Sequence, residues 1–132
     1  MSNWEERIKD FYSVFRGVYC SDKKIRMRDA VSVALSMPAK RFYVSAERAV
    51  NVMCEIKNGR FDPSKMRSQK VAMFMEIWNR YLELHSENPD RFMVDIVYDI
   101  VYSPAPKFYM TTDTAICCLS KYTRLLRCRR KY

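Results

Sequence analysis

The chain contains almost no glycine. Only Gly17 and Gly59 occur among its 132 residues. Loops that cradle phosphate groups, such as G-x-G-x-x-G or G-x-x-x-x-G-K, need several glycines close together because the backbone itself must approach the ligand. The sequence therefore excludes these nucleotide-binding fingerprints.

Metal-ligand and disulfide patterns are missing as well. His85 is the single histidine, and the five cysteines show no C-x-x-C spacing. A structural zinc site needs four such ligands at short spacings, and the adjacent pair Cys117-Cys118 is a poor disulfide framework. We expect reduced, mostly buried thiols, and no metal, cofactor or small-molecule substrate.

Recognisable catalytic patterns are absent too. A lone histidine such as His85, near the end of a predicted helix, is more typical of a favourable helix-end charge than of a general base. Asp95 and Asp99 are an i,i+4 pair on one helix face, which favours solvation or pairing with a cation. Without a nucleophile, a base and oxyanion donors in one pattern, we expect no enzymatic activity.

Long apolar runs and a secretory leader are also missing. No stretch approaches the roughly 18 apolar residues of a membrane span. The first six residues, MSNWEE, lack a basic start followed by an apolar segment. The composition is nevertheless 48% hydrophobic and 14% aromatic, which predicts a folded single domain over residues 1–132. We expect an intracellular, cytoplasmic protein with no membrane partner.

What the sequence does contain is an internal repeat. Residues 29–50 align without a gap to residues 95–116, at an offset of 66 that is half the chain length. A unit of this size buries little core alone, so two copies are expected to pack together. The halves are 1–66 and 67–132. Seven positions are identical, namely Asp29/Asp95, Val31/Val97, Pro38/Pro104, Ala39/Ala105, Phe42/Phe108, Tyr43/Tyr109 and Ala49/Ala115.

Helix start and stop signals in the first half predict three helices. Ser2 and Glu5 form a capping box for the first, and Pro38 ends the second. Ser45 is the predicted N-cap of the third helix, which runs to about Lys57 and stops at Asn58-Gly59.

The second half repeats the pattern. Asp62-Pro63 is predicted to start a fourth helix over roughly 63–85, and Asn88-Pro89 to start a fifth. A sixth helix follows Thr111. We therefore predict an all-α fold of two tandem three-helix units, packed as a pseudo-two-fold six-helix domain. The connectors 40–44 and 107–110 have strand-like residues that could pair as a short strand.

Charge is concentrated at the C-terminus. The formal net charge is +9. A basic cluster at a chain end is typical of a phosphate-binding arm, with a solvated helix end or docking on an acidic protein or membrane surface as the alternatives. The segment 121–132 contains no acid and six cations, which we take as candidate nucleic-acid ligands: Lys121, Arg124, Arg127, Arg129, Arg130 and Lys131.

The connectors supply a second set of candidates. Lys40, Arg41 and Lys107 each lie beside a Phe-Tyr pair. Cations next to aromatic rings can hold the backbone and stack the bases of a single strand. The alternative is that these rings pack inward and lock two helices together.

An aromatic strip on the fifth helix indicates a protein partner. Tyr98 and Tyr102 are at i,i+4, whereas the corresponding first-half residues are Ser32 and Ser36. Methionines at positions 66, 73, 75 and 93 could add an adaptable surface. We expect a small non-enzymatic nucleic-acid-associated protein. The competing hypothesis is an adaptor or regulator that binds a protein partner, or a second copy of the chain, through this Tyr/Met-rich surface.

Overall fold

The fold consists of helices joined by short irregular segments. The structure is a computed structural model that describes residues 3–130, with side chains as far as residue 128. Within that range no strand is present, so the predicted all-α class is confirmed. The helices are α1 (Asn3–Ser21), α2 (Met27–Leu35), α3 (Ala46–Lys57), α4 (Ser68–Glu87), α5 (Met93–Val101) and α6 (Thr112–Arg130), with a 3-10 turn at Pro63–Lys65.

The ends of α3 and the start of α6 follow the sequence signals. The Ser45 side chain accepts a hydrogen bond from the Arg48 backbone N–H at 3.1 Å, and Thr111 Oγ1 accepts one from the Thr114 N–H at 3.2 Å. Each satisfies a backbone donor that a helix start leaves free. Gly59 follows α3 with φ 72°. Ser2, half of the predicted capping box, lies outside the described residues.

The predicted starts of the fourth and fifth helices are wrong. Asp62 caps only the 3-10 turn, where Oδ1 accepts from the Ser64 hydroxyl at 2.6 Å and from the Ser64 N–H at 3.0 Å. These bonds, with Lys65 adding a smaller electrostatic effect, lower the pKa of Asp62. Met66 is extended, so α4 begins only at Ser68. Asn88 ends α4 instead of starting α5.

The connectors 40–44 and 107–110 do not form the suggested strand pair. Their backbone donors reach helix ends instead: the Phe42 N–H donates to the Val101 carbonyl at 3.1 Å, and the Phe108 N–H donates to the Leu35 carbonyl at 3.2 Å. Tyr109 has φ 53°, which is incompatible with a regular strand. The free carbonyls at the ends of α2 and α5 thus find partners that strand pairing would have removed.

Two compact units divide the chain, and neither coincides with a sequence half. We call Met1–Ala39 plus Pro106–Tyr132 the split unit, and Lys40–Ala105 the central unit. In the split unit α1, α2 and α6 contact one another, and in the central unit α3, α4 and α5 do so. The third helix of each half therefore packs with the first two helices of the other half.

The core of the split unit is aromatic. Phe11 and Phe108 are buried and meet edge to face with ring centroids 5.2 Å apart. Tyr12 of α1 meets Tyr122 of α6 in the same manner at 5.1 Å. Such contacts add to the stabilisation that burial of the rings provides.

The core of the central unit is built around Phe42. This ring is 1% exposed, and the guanidinium carbon of Arg80 lies 4.9 Å from its centroid. Ile77, Val97 and Val52 are fully buried in the same unit. The Phe of each connector therefore packs inward, which is the alternative that the sequence had left open for these aromatic pairs.

The cysteines are free but mostly exposed. Cys118 is buried, whereas Cys20, Cys54, Cys117 and Cys128 are not. The expectation of mostly buried thiols is wrong because these four residues lie on the solvent sides of their helices. None of the helices between residues 3 and 130 has both the length and the apolar character needed to cross a bilayer.

The two glycines should respond to alanine with opposite signs. Gly59 has positive φ, so Gly59→Ala should lower the free energy of unfolding by about 1 kcal/mol. Gly17 lies inside α1 with nothing within 4 Å of an added Cβ, so Gly17→Ala should raise it by about 0.5–1 kcal/mol. Urea unfolding of both variants checks this. A shift of the same sign in the two would contradict the backbone conformations described.

Candidate nucleic-acid interface

The two units differ strongly in net charge. The split unit contains 14 Lys and Arg against six Asp and Glu, a formal +8. The central unit contains ten against nine, a formal +1. Almost all of the net charge therefore belongs to the unit that contains α6, and part of it comes from the α1–α2 region at the other end of the chain.

Part of that charge forms a row on α6. Lys121, Arg124 and Arg127 are exposed and follow one another at three-residue spacing. The opposite side of the helix is buried through Ala115, Cys118 and Leu119. With a rise of about 1.5 Å per residue, the three cations span about 9 Å, comparable to a few phosphates of one nucleic-acid strand.

This row has no acidic partner among the described residues. The ion pairs there include Arg28 with Asp113, Arg80 with Glu76 and Arg91 with Asp99. None involves Lys121, Arg124 or Arg127. The α6 backbone continues to Arg130, but the side chains of Arg129 and Arg130, and all of Lys131, lie outside the described residues.

Arg41 is occupied by backbone and ring contacts in the central unit. Its Nε donates to the Phe42 carbonyl at 3.0 Å, and its Nη2 donates to the Val44 carbonyl at 2.9 Å. The guanidinium carbon also lies 4.3 Å from the centroid of Tyr102. Two residues predicted for different roles, a phosphate ligand and a partner contact, thus contact each other. Arg41 holds the connector in shape.

The other connector cations differ in setting. Lys107 is half-buried in the split unit, with Nζ 5.1 Å from the Tyr109 centroid. Lys40 is exposed and belongs to the central unit. The predicted set therefore does not lie in one unit: Lys107 shares the split unit with the α6 row, whereas Lys40 and Arg41 do not.

The predicted partner surface is exposed on α5. Tyr98 and Tyr102 are 46% and 59% exposed, with ring centroids 6.3 Å apart. Phe92, immediately before α5, is 77% exposed, and Val94 is 48% exposed. Tyr102 is partly covered by Arg41. Of the methionines proposed for this surface, Met73 is buried and Met75 is exposed.

A cationic pocket in the central unit escaped the sequence analysis. Its volume is about 520 Å³. Buried Met73 and Phe74, together with half-buried Tyr43, Val44 and Met66, supply its apolar lining. The polar lining consists of four exposed cations and no carboxylate: Arg48, Lys65, Arg67 and Lys70.

One local signal for this pocket was present in the sequence. Acidic residues are favoured in the first turn of a helix because the helix dipole is positive there. The first turn of α4 has none, and instead Arg67 is the N-cap and Lys70 follows shortly after it. Cations in that position oppose the dipole, and an anion would relieve the repulsion. Arg48 belongs to α3, so only folding adds it to this group.

His85 and the acidic residues form no metal-binding group in the described part of the chain. The His85 ring lies 5.5 Å from that of Tyr81 on the same helix. Among residues 3–130 no three His, Cys, Asp or Glu side chains are grouped to hold a metal ion.

Comparison of the chain with protein-family models, with curated proteins and with solved structures returns no match.

Proposed function

We propose that the protein is a small non-enzymatic nucleic-acid-associated protein whose split unit binds the phosphate backbone. The observation that carries this proposal is the separation of charge, +8 against +1, together with the exposed row on α6. Cations at a polyanion displace condensed counterions, which makes binding favourable and strongly salt-dependent. Binding through phosphate contacts is largely independent of the base sequence of the nucleic acid.

We also propose that the chain is a duplicated three-helix unit whose third helices are exchanged. Two features support this. The first is that α2 and α5 begin and end at equivalent positions of the repeat, and that α3 and α6 begin at equivalent positions. The second is that the connector bonds are reciprocal, since Phe42 reaches the end of α5 and Phe108 reaches the end of α2. Helix bounds and connector contacts thus follow the same offset as the sequence repeat.

The proposed duplication places most of the basic cluster in the part of α6 that has no counterpart in α3. At the repeat offset α3 corresponds to positions 112–123, whereas α6 continues to Arg130. The surplus, positions 124–130, contains Arg124, Arg127, Arg129 and Arg130 and no acid. In the proposed history, this cationic extension belongs to one copy only, which favours a binding role over a general consequence of helix capping.

The competing proposal is an adaptor that binds a protein through α5. Its support is the exposure of Val94 and Tyr98 on α5 and of Phe92 and Tyr102 at its two ends. Such a surface would bind by burial of apolar area, and its affinity would depend little on salt.

Removal of two α6 cations should weaken nucleic-acid binding. We expect Lys121→Gln with Arg124→Gln to reduce the affinity for a generic duplex about tenfold or more at moderate salt, and to make the slope of log K against log salt shallower by about 2. Fluorescence anisotropy of labelled DNA and RNA at several salt concentrations measures both quantities. Glutamine keeps the helix because its helix propensity is close to that of lysine and arginine.

The control is a matched pair in the central unit. Lys57→Gln with Arg60→Gln removes the same charges at the same spacing from exposed positions, and it should change the slope by less than half as much. Substitution is preferable to truncation before Lys121, because truncation would also remove Tyr122 from its contact with Tyr12. No binding at low salt, or equal effects of the two pairs, would refute the phosphate-binding proposal. Capture of a defined protein that is lost on Tyr98→Ser would support the adaptor.

A further inference from the structure

The geometry points to a second anion site, in the central unit: we propose that the pocket lined by Arg48, Lys65, Arg67 and Lys70 binds a terminal phosphate monoester carried on a nucleoside. This site is separate from the α6 row and does not depend on the nucleic-acid proposal. It also departs from the expectation that the chain has no small-molecule substrate, and it needs none of the glycine-rich loops that the sequence excludes.

The number of cations favours a monoester. A phosphate inside a nucleic-acid chain is a diester with one negative charge, whereas a terminal phosphate carries about −1.5 to −2 near neutral pH. Four cationic side chains and no carboxylate line the pocket. Lys65 has Asp62 as an electrostatic neighbour, but Arg48, Arg67 and Lys70 form no ion pair with another described residue. The surplus of positive charge matches a dianion better than a monoanion.

The backbone adds to this positive field. Arg67, the N-cap of α4, makes no side-chain cap hydrogen bond, so the N–H groups of the first turn remain available. In α3 the corresponding donor, the Arg48 N–H, is already bonded to Ser45. The positive end of the α4 dipole therefore lies at the segment that contributes Arg67 and Lys70 to the pocket, while the cationic side chains contribute the net charge.

The apolar lining suits the rest of a nucleoside. Phe74 and Met73 are buried, and Tyr43 and Val44 are half-buried beside them. A volume of about 520 Å³ lies within the usual range of about 300–1,000 Å³ for small-molecule sites. A ribose and a base could contact this lining while the phosphate meets the cations. Inorganic phosphate alone would leave the apolar area unused.

Titration calorimetry of the intact protein tests the proposal. The probes are adenosine 5′-monophosphate, adenosine and inorganic phosphate in low-salt buffer. We expect adenosine 5′-monophosphate to bind at least about tenfold more tightly than either of the other two, since only it offers both the charge and the apolar body. Equal binding of adenosine and its monophosphate, or no binding of the monophosphate at millimolar concentration, would overturn the proposal.

A matched pair of double variants assigns the site. Arg48→Gln with Lys70→Gln removes two cations of the pocket, and Lys57→Gln with Arg60→Gln removes one arginine and one lysine elsewhere in the same unit. We expect the first pair to weaken adenosine 5′-monophosphate at least about tenfold and the second less than threefold. All four residues are exposed, and circular dichroism should show unchanged helix content in both. Equal weakening by the two pairs would overturn the assignment.

Two sources could supply this phosphate, a free nucleotide or the end of a strand. A 5′-phosphorylated single strand is compared with its 5′-hydroxyl form. If the phosphorylated strand binds more tightly, and the advantage disappears in Arg48→Gln with Lys70→Gln, the natural ligand is a strand end; equal binding indicates a free nucleotide. The α6 variant should leave the affinity for adenosine 5′-monophosphate unchanged, so this inference and the proposed function can fail separately.

Discussion

Phe108→Ala is expected to lower the free energy of unfolding by about 3–5 kcal/mol, the usual cost of truncating a buried phenylalanine. Phe108 is 3% exposed and meets Phe11 edge to face at 5.2 Å. The substitution removes the ring's buried area, leaves a cavity against Phe11, and loosens the connector whose N–H bonds to Leu35.

Which helices Phe108→Ala destabilises is more informative than how much stability it removes. Phe108 belongs to the second half of the sequence, yet it packs in the split unit with α1 and α2. Hydrogen exchange should therefore increase most in α1, α2 and α6. Urea unfolding gives the loss of stability, and exchange measured by mass spectrometry gives its location.

Phe42→Ala is the matched control at the corresponding position of the first half. Phe42 is 1% exposed in the central unit, where its N–H bonds to Val101. A loss of similar size, about 3–5 kcal/mol, is expected, with the greatest increase in exchange in α3, α4 and α5. If Phe108→Ala instead increased exchange in α4 and α5 more than in α1 and α2, the result would contradict the packing of this connector and α6 with α1 and α2.

Arg80→Met is expected to reduce stability by about 2 kcal/mol because a half-buried guanidinium joins several groups of the central unit. Its Nε donates to Glu76 at 3.1 Å, and its Nη1 donates to the Pro104 carbonyl at 2.8 Å and to Ser103 Oγ at 3.3 Å. The same group lies over the Phe42 ring. Methionine keeps the length of the aliphatic stem but leaves the Pro104 carbonyl and Glu76 without this donor.

Two further variants show whether geometry or charge is responsible. Arg80→Lys should recover less than half of the loss, because an ammonium group cannot reproduce the planar fork that reaches Glu76 and Pro104 together. Arg91→Met breaks an exposed pair with Asp99 and should cost less than about 1 kcal/mol. Unfolding in urea measures all three. If Arg80→Met and Arg91→Met lowered the free energy of unfolding equally, Arg80 would contribute no more than an arginine in an exposed surface ion pair.

Most of the secondary structure could be predicted from the sequence because its signals act over a few residues. Ser45 and Thr111 satisfy backbone donors three residues ahead, and Gly59 takes up the left-handed geometry that stops α3. The two wrongly predicted helix starts also come from signals that act over a few residues. Asp62 and Asn88 look like helix starts, but Asp62 caps a single 3-10 turn and Asn88 ends α4.

The candidate sites were only partly predictable. Exposure of the α6 row follows from its charge and its helical spacing, since cations remain on the hydrated side of an amphipathic helix. In the sequence Arg41 is a candidate phosphate ligand like the α6 cations, yet in the structure its guanidinium donates hydrogen bonds to the Phe42 and Val44 carbonyls. The cationic pocket depends on Arg48 meeting residues 65–74, and no local pattern specifies that meeting.

By itself, the sequence determined that this protein is helical, where α3 begins and ends, where α6 begins, and that positive charge accumulates near its C-terminus. Only the tertiary structure decided which helices share a core, and with it the division of charge between the units. The physical reason is that α3 and α6 begin with similar sequence patterns, so their local signals do not specify which helix pair each one packs against. Selection between such equivalent partners depends on long-range packing and chain connection, which no local spacing encodes.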